Sequence, residues 1–111
     1  MLNIHERRLG EVTILDLDGD LREEDCTTLR RHIYRLTGEK RYWIVINLEK
    51  VTILGSHALG LLLFADREAR QGGGKLKLLK PQPMLAAIFH STRTKFLLEV
   101  FDNENSAVES F

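Results

Sequence analysis

Apolar residues recur along this chain at two alternating spacings. Residues 2–9 and 12–17 are partly alternating, and the second run is rich in β-branched residues, which is typical of two strands joined by a short turn. The apolar residues that follow are three or four positions apart, as on one face of a helix: Cys26, Leu29, Ile33 and Leu36. Asp20 with Glu23 indicates the start of this helix, and Gly38 indicates its end.

A strand followed by a helix is predicted again in the middle of the chain. Residues 42–48 are apolar on both faces, which predicts a central strand covered on both sides. A connection over residues 49–55 leads to a long helix from Ser56 to about Gln71. Ser56 is the predicted N-cap, because its hydroxyl can accept a hydrogen bond from a backbone N–H of the first turn.

The remaining elements are shorter. Three consecutive glycines end the long helix, and the alternating residues 75–80 form the next strand. Two prolines open a short helix over residues 84–90, and residues 96–101 form a last strand. Asp102 or Asn103 then caps a terminal helix.

The element order β-β-α-β-α-β-α-β-α predicts an α/β fold. We expect one domain over residues 1–111, with a mixed, mostly parallel sheet of about five strands and about four covering helices. The opening pair of strands supplies an antiparallel edge. The core is expected to contain the apolar residues at the periodic positions: Ile14, Leu29, Ile33, Ile44, Ile46, Leu62, Leu78 and Ile88.

Composition narrows the class of protein. The chain is 43% hydrophobic and 29% charged, which is ordinary for a globular domain. Sixteen Lys and Arg balance sixteen Asp and Glu, and a net charge of zero argues against nucleic acid as a direct partner. A single cysteine excludes an intramolecular disulfide, and the longest apolar run is far too short to insert into a membrane. We therefore expect a cytoplasmic protein.

The common catalytic and metal-binding patterns are missing. The four histidines fall on different predicted elements, without the spacing of metal ligands. Ser56 and His57 are adjacent, but neighbours on a helix point about 100° apart, and the pattern of a nucleophile elbow is absent. The glycine run before Lys75 precedes a strand, whereas a phosphate loop opens a helix. We expect no enzyme activity, no metal and no cofactor.

The connection between the central strand and the long helix is the candidate binding region. In parallel sheets, ligand and partner sites gather at the carboxyl ends of the strands. Gly55, Ser56, Ala58 and Gly60 are small, and the positive end of the helix dipole favours an anion there. The same small residues also fit a helix that simply packs close to the sheet. From the residues alone, both interpretations stay open.

In its ordered set of motifs the chain resembles the STAS domain, the fold of bacterial anti-sigma factor antagonists. Residues 12–21 are similar to the opening strand and G-x-L turn of that family, and residues 44–51 to its hydrophobic-D-L-x-x-V strand. Residues 72–76 resemble its G-G-x-L entry to the next strand. The short helix after Pro83 and the acidic turn and terminal helix over residues 101–111 also match.

The functional motif of the family, Asp-Ser-Ser/Thr-Gly-Leu, aligns with the start of the long helix. Here the five positions are Gly55, Ser56, His57, Ala58 and Leu59. Ser56 and Leu59 keep the pattern. His57 takes the place of the phosphorylated hydroxyl residue, and Gly55 and Ala58 replace the acidic residue and the glycine.

The resemblance implies a protein-binding switch. In the family, the unphosphorylated domain binds an anti-sigma factor of the histidine-kinase-like ATPase fold, which frees a sigma factor. The same anti-sigma factor is a serine kinase that phosphorylates the motif residue and separates the pair. We expect partner contacts at Gly55, Ser56, His57, Ala58 and Leu61, and an altered or lost phosphorylation switch at His57 and Ser56, because His57 has no hydroxyl.

Two other classes of function are open at this point. The first is a STAS subunit of another assembly, either a signalling scaffold or a lipid-transport complex. The second is a module that binds a small molecule or nucleotide at the same helix start. Neutral net charge and the absence of a phosphate loop favour protein binding over the second class.

Overall fold

Five strands form one sheet in the order β1-β2-β3-β4-β5. The computed structural model describes residues 2–91 and 97–111 of the chain. The strands are β1 (Asn3–Leu9), β2 (Val12–Asp18), β3 (Trp43–Lys50), β4 (Lys75–Leu79) and β5 (Glu99–Phe101). The helices are α1 (Cys26–Gly38), α2 (Ser56–Gln71), α3 (Pro83–Ser91) and α4 (Glu104–Glu109), and a 3-10 turn, Glu23–Asp25, precedes α1. None of the helices in this part of the chain is long and apolar enough to cross a membrane.

The strand directions confirm the predicted α/β fold. β1 pairs antiparallel with β2, whereas β2, β3, β4 and β5 pair in parallel with their neighbours. A helix lies in the chain between β2 and β3 and between β3 and β4, as parallel connections require. All carboxyl ends of these parallel strands therefore meet at one edge of the sheet.

Apolar cores lie on both faces of the sheet. The larger core is shared by the strands with α1, α2 and α3 and includes Ile44 and Ile46 of β3. The smaller core includes Val45 of the same strand and Ala107 of α4. Successive side chains of a strand point to opposite faces, so one continuous apolar run supplies both cores. This arrangement confirms the prediction of a central strand covered on both sides.

Seven of the eight predicted core residues are buried, at 0–1% exposure: Ile14, Leu29, Ile33, Ile44, Ile46, Leu62 and Leu78. The prediction was wrong for Ile88, whose exposure is 37%. α3 turns Leu85 and Phe89, one helical turn apart, into the core. Ile88 is rotated about 100° from Phe89 and so falls at the edge of the apolar stripe.

The helix ends differ in detail from the predictions. Gly55 is the N-cap of α2 and Ser56 is the first helical residue, so the prediction of Ser56 as N-cap was wrong. The helical turn before α1 begins at Glu23, where the Asp25 carboxylate accepts a hydrogen bond from the backbone N–H of Arg22 at 3.1 Å. Asn103 is the cap of α4, and its side chain accepts from the N–H of Ser106.

β5 is shorter than predicted. It begins at Glu99 instead of residue 96, and residues 92–96 lie outside the described residues.

The last turns of α2 are fixed to β4 through one buried carboxylate. Asp66 is 1% exposed and accepts a hydrogen bond from the backbone N–H of Leu76 at 3.1 Å. Its oxygens also lie 2.9 Å from Nζ of Lys75 and 3.1 Å from Nε of Arg70. Asp66 and Arg70 are one helical turn apart, a spacing at which side chains of a helix meet. The burial of Asp66 was not predicted, because its partners on β4 come from beyond the helix.

Candidate functional site

Two loops lie side by side at the carboxyl edge of the sheet. The loop after β2 and the loop after β3 continue the pairing of those strands through backbone hydrogen bonds. The N–H of Leu21 donates to the carbonyl of Ile53 at 2.8 Å, and the N–H of Gly55 donates to the carbonyl of Leu21 at 3.0 Å. Leu21 is fully buried, so it anchors both loops to the larger core. The start of α2 is therefore held on a fixed base.

Side chains join the same two loops. The hydroxyl of Thr52 donates a hydrogen bond to Asp20 at 2.9 Å, and Arg22 lies 3.3 Å from the same carboxylate. The hydrogen bond from Thr52, with the further contact to Arg22, holds the pKa of Asp20 below its usual range. Asp20 therefore stays ionised at neutral pH and keeps its two partners in place.

The start of α2 is small, exposed and without an acidic side chain. Gly55, the N-cap, has no side chain with which to satisfy the first-turn N–H groups. The side chain of His57 is 67% exposed, and its Nδ1 lies 3.8 Å from a carboxylate oxygen of Glu23. Ser56 is also exposed, and no hydrogen bond of its hydroxyl is found within the described residues. These two side chains are the accessible polar groups of this helix start.

Two of the predicted contact residues face the other way. Ala58 is fully buried and Leu61 is 4% exposed, and both belong to the larger core. In a helix of 3.6 residues per turn, these positions share the face that packs on the sheet, whereas Ser56, His57 and Gly60 lie on the outer face. At the predicted contact residue Ala58 no side-chain surface is therefore exposed, and Leu61 exposes only a small edge.

The described residues contain no cluster with metal-ligand character and no activated nucleophile beside the helix start. No group of three or more His, Cys, Asp or Glu could hold a metal ion in this part of the chain. Cys26 is buried; burial raises the pKa of its thiol, and its Sγ lies 3.4 Å from the carbonyl oxygen of Arg22.

A polar network that the sequence did not predict lies on the face of the sheet that α4 partly covers. Arg7 donates to Asp16 at 2.6 Å and to Glu104 at 2.6 Å, and Asn47 donates to Asp16 at 2.8 Å. Burial would raise the pKa of Asp16, but the hydrogen bonds from Arg7 and Asn47 outweigh it and hold that pKa below its usual range. The hydrogen bond from Arg7 also lowers the pKa of Glu104.

This network has a structural role. Arg7 directs its guanidinium to carboxylates on both sides, so it fastens the start of α4 to β1 and β2. The available signal was the run of charged residues in β1, Glu6, Arg7 and Arg8. The partner Glu104 is 97 positions away and could not be assigned from spacing.

Comparison with known protein families finds one family that matches this chain. The STAS domain family matches residues 3–107. The chain belongs to the STAS domain family. Because the match covers nearly the whole sequence, it confirms the resemblance inferred from the ordered motifs. No curated protein sequence matches this STAS domain at a significant level.

Solved structures of anti-sigma factor antagonists share the fold of this STAS domain. One from Thermotoga maritima has a TM-score of 0.91 at 18% identity, covering 96% of this chain and 92% of that chain. The antagonist SpoIIAA in its unphosphorylated form has a TM-score of 0.77 at 22% identity, covering 97% and 96%. Bacillus SpoIIAA in its phosphorylated form has a TM-score of 0.76 at 21% identity, covering 99% and 98%. At these identities the likeness shows the shared fold.

Proposed function

We propose that this STAS domain is a non-enzymatic regulatory module that acts as an anti-sigma factor antagonist. It docks the start of α2 on an anti-sigma factor of the histidine-kinase-like ATPase fold. The observation that carries this proposal is the exposed helix start, Ser56 and His57, held by two paired loops at the carboxyl edge of the sheet. The fold supports it, since similar structures include those of anti-sigma factor antagonists.

The physical basis of docking is a surface that is already ordered. Backbone hydrogen bonds between the loops and the burial of Leu21 fix the helix start before any partner arrives. A partner that binds a fixed surface pays little entropy for ordering it. The first turn of α2 holds no acidic residue, and its N-cap supplies no side-chain acceptor, so its N–H groups can meet an acceptor of the partner. The carboxylate of Glu23 lies beside this surface, 3.8 Å from Nδ1 of His57.

The phosphorylation switch of the family is altered in this proposal. A phosphate adds about −1.5 to −2 charges, which the helix start of the domain tolerates and a desolvated interface does not. His57 stands where the family has the phosphorylated hydroxyl and offers none. Ser56 has an exposed hydroxyl, but it is displaced by about 100° around the helix axis. A kinase site aligned on position 57 therefore has no acceptor, and docking persists in the presence of ATP.

Charge at position 57 tests the docking surface. We expect His57→Asp to weaken binding to the anti-sigma factors of the source organism by about tenfold or more, because it places an anion at the interface. Isothermal titration calorimetry with each purified anti-sigma factor measures the change. Gln71→Glu adds the same charge at the exposed far end of α2 and should leave the affinity unchanged. An affinity of the His57→Asp variant within about twofold of wild type would exclude this surface.

Restoring the family motif tests the lost switch. The double change Gly55→Asp with His57→Ser should gain phosphate at position 57 when incubated with kinase and ATP, whereas the wild-type chain should gain almost none. The reason is geometric, since a misplacement of about 1 Å can reduce phosphoryl transfer about 100-fold. Phosphopeptide mass spectrometry locates the phosphate. Rapid, stoichiometric phosphate on wild-type Ser56 would mean that the switch has moved by one residue.

A further inference from the structure

A groove between α1 and α2 begins beside His57 and runs along both helices. This α1/α2 groove has a volume of about 390 Å³ and is lined by Arg30, Tyr34, His57, Gly60, Leu61 and Phe64. The rings of Tyr34 and Phe64 meet edge to face across it, with centroids 6.1 Å apart. The side of Tyr34 away from this contact is open, because the residue is 52% exposed. The groove thus has an aromatic floor that a further apolar side chain can reach.

Gly60 keeps the middle of the groove open. A Cβ built on Gly60 would meet no atom within 4 Å, so close packing within the domain does not require glycine here. By contrast, a Cβ on Gly74 would overlap the backbone of Tyr42, which explains glycine at that position. A glycine inside a helix carries a stability penalty of about 0.5–1 kcal/mol relative to alanine. Its effect here is to let another main chain approach α2.

Unpaired arginines lie on the two helices of the groove, and one of them, Arg30, lines it. Within residues 2–91 and 97–111, six arginines have hydrogen-bond or ion-pair partners: Arg7, Arg8, Arg22, Arg35, Arg41 and Arg70. The other three in this part of the chain have none: Arg30, Arg31 and Arg67. All three are exposed and lie on the outer surfaces of α1 and α2. Three guanidinium groups without an internal partner therefore lie on the two helices that form the groove.

We propose that the α1/α2 groove binds an amphipathic helix of a partner protein whose apolar face is flanked by Asp and Glu. The apolar side chains of such a helix fit against Tyr34 and Phe64, and its acidic flanks face Arg30 in the groove. Arg31 and Arg67, exposed on the same two helices, add to the positive charge that attracts it. The inference rests on the proposed function in one respect, since it extends the docking surface from the start of α2 along the helix. It adds the chemistry of the partner segment.

Model peptides test the groove without any natural partner. Two stapled helical peptides of about 18 residues, roughly five turns, carry the same Leu and Phe stripe, with Glu at every flanking position in one and Lys in the other. Each is titrated into the ¹⁵N-labelled full chain at low salt. The Glu peptide should shift the amide resonances of Arg30, Gly60 and Phe64, and should bind at least about tenfold more tightly than the Lys peptide. Added salt should weaken the binding of the Glu peptide, because it screens the attraction between Glu and Arg.

Variants locate the binding. Gly60→Trp fills the groove and should abolish the shifts, whereas Gly60→Ala should keep them. Arg30→Glu should lower the affinity for the Glu peptide about fivefold or more. Lys40→Glu makes an equal charge change away from the groove and should leave this affinity unchanged. Arg30 is exposed and unpaired, so its variant decides the question if Gly60→Trp does not fold. Equal affinity for both peptides, shifts mapped to another face, or indifference to Arg30→Glu would each overturn the proposal.

A second arm separates this inference from the proposed function. An anti-sigma factor that binds the wild-type chain and loses affinity with His57→Asp, but ignores both Arg30→Glu and Gly60→Trp, would leave the proposed function intact and refute the groove. If no anti-sigma factor binds, the proposed function fails. The peptide titration still decides the groove by itself.

Discussion

Removing the Asp66 carboxylate should destabilise this domain more than any other single change to a charged residue of α2. The carboxylate is almost completely buried between α2 and β4, where it accepts the backbone N–H of Leu76 and contacts Lys75 and Arg70. Asp66→Ala leaves the Leu76 N–H buried without an acceptor. The side chain thus links the last turns of the helix to the strand on which it packs.

The magnitude follows from the exposure of each partner. A buried N–H without an acceptor costs about 1–3 kcal/mol. The side chain of Arg70 is 55% exposed, so loss of its ion pair adds at most about 1 kcal/mol. Lys75 keeps a hydrogen bond to the carbonyl of Leu97 at 2.7 Å, so the loss of its ion pair with Asp66 adds a similarly small amount. Asp66→Ala should therefore lower the free energy of unfolding by about 2–4 kcal/mol.

Urea unfolding followed by far-UV circular dichroism measures this loss. Asp66→Asn keeps an oxygen that can accept from Leu76 and should cost only about 1 kcal/mol. Glu68→Ala removes a carboxylate from the same helix that has no ion pair within the described residues, and should change stability by less than about 0.5 kcal/mol. A loss below about 1 kcal/mol for Asp66→Ala would refute the assignment of a buried, structurally required acceptor.

Three further predictions concern stability. Ile46→Ala should cost about 2–5 kcal/mol in urea unfolding, because the side chain is fully buried in the larger core; a loss under about 1 kcal/mol would contradict this packing. Gly74→Ala should destabilise the fold, because its Cβ would overlap the backbone of Tyr42. Gly60→Ala should stabilise the fold by about 0.5–1 kcal/mol in the same melts, because its Cβ meets open space. Equal effects of the two substitutions would contradict this assignment. Arg7 lowers the pKa values of Asp16 and Glu104, so these carboxylates stabilise the fold above about pH 4.5, and the stabilisation is lost as the pH falls through their folded pKa values. Arg7→Met should therefore make the free energy of unfolding less dependent on pH between about pH 2 and 7. An unchanged pH profile in urea melts would refute this role of Arg7.

The sequence was sufficient for features that depend on near neighbours. The order of strands and helices follows from the change between alternating and three-to-four spacing, which reports which side of each element is apolar. The doubly apolar residues 42–48 predicted the central position of β3 for the same reason. The candidate binding region followed from the rule that parallel strands end at one edge, and the family from an ordered set of short motifs.

Other features required the tertiary structure, because they depend on atoms distant in sequence. Serine is a common N-cap residue, but the hydrogen bond between Gly55 and Leu21 fixes Gly55, not Ser56, as the last residue before the helix. Ala58 is small enough to suit an accessible helix start, but its rotation around α2 places it against the sheet. Ile88 is apolar, but it lies beside the face of α3 that packs into the core and is therefore partly exposed.

Long-range pairing decided which charged residues have partners. Asp66 is buried because β4 brings Leu76 and Lys75 to it, and Arg7 is held by Glu104 from the far end of the chain. Local spacing carries no information on such pairs, since their energies arise only when the sheet brings separate elements together. The sequence by itself determined which residues alternate between faces, and the packing of α1 against α2 decided that the unpaired Arg30 lines an open groove.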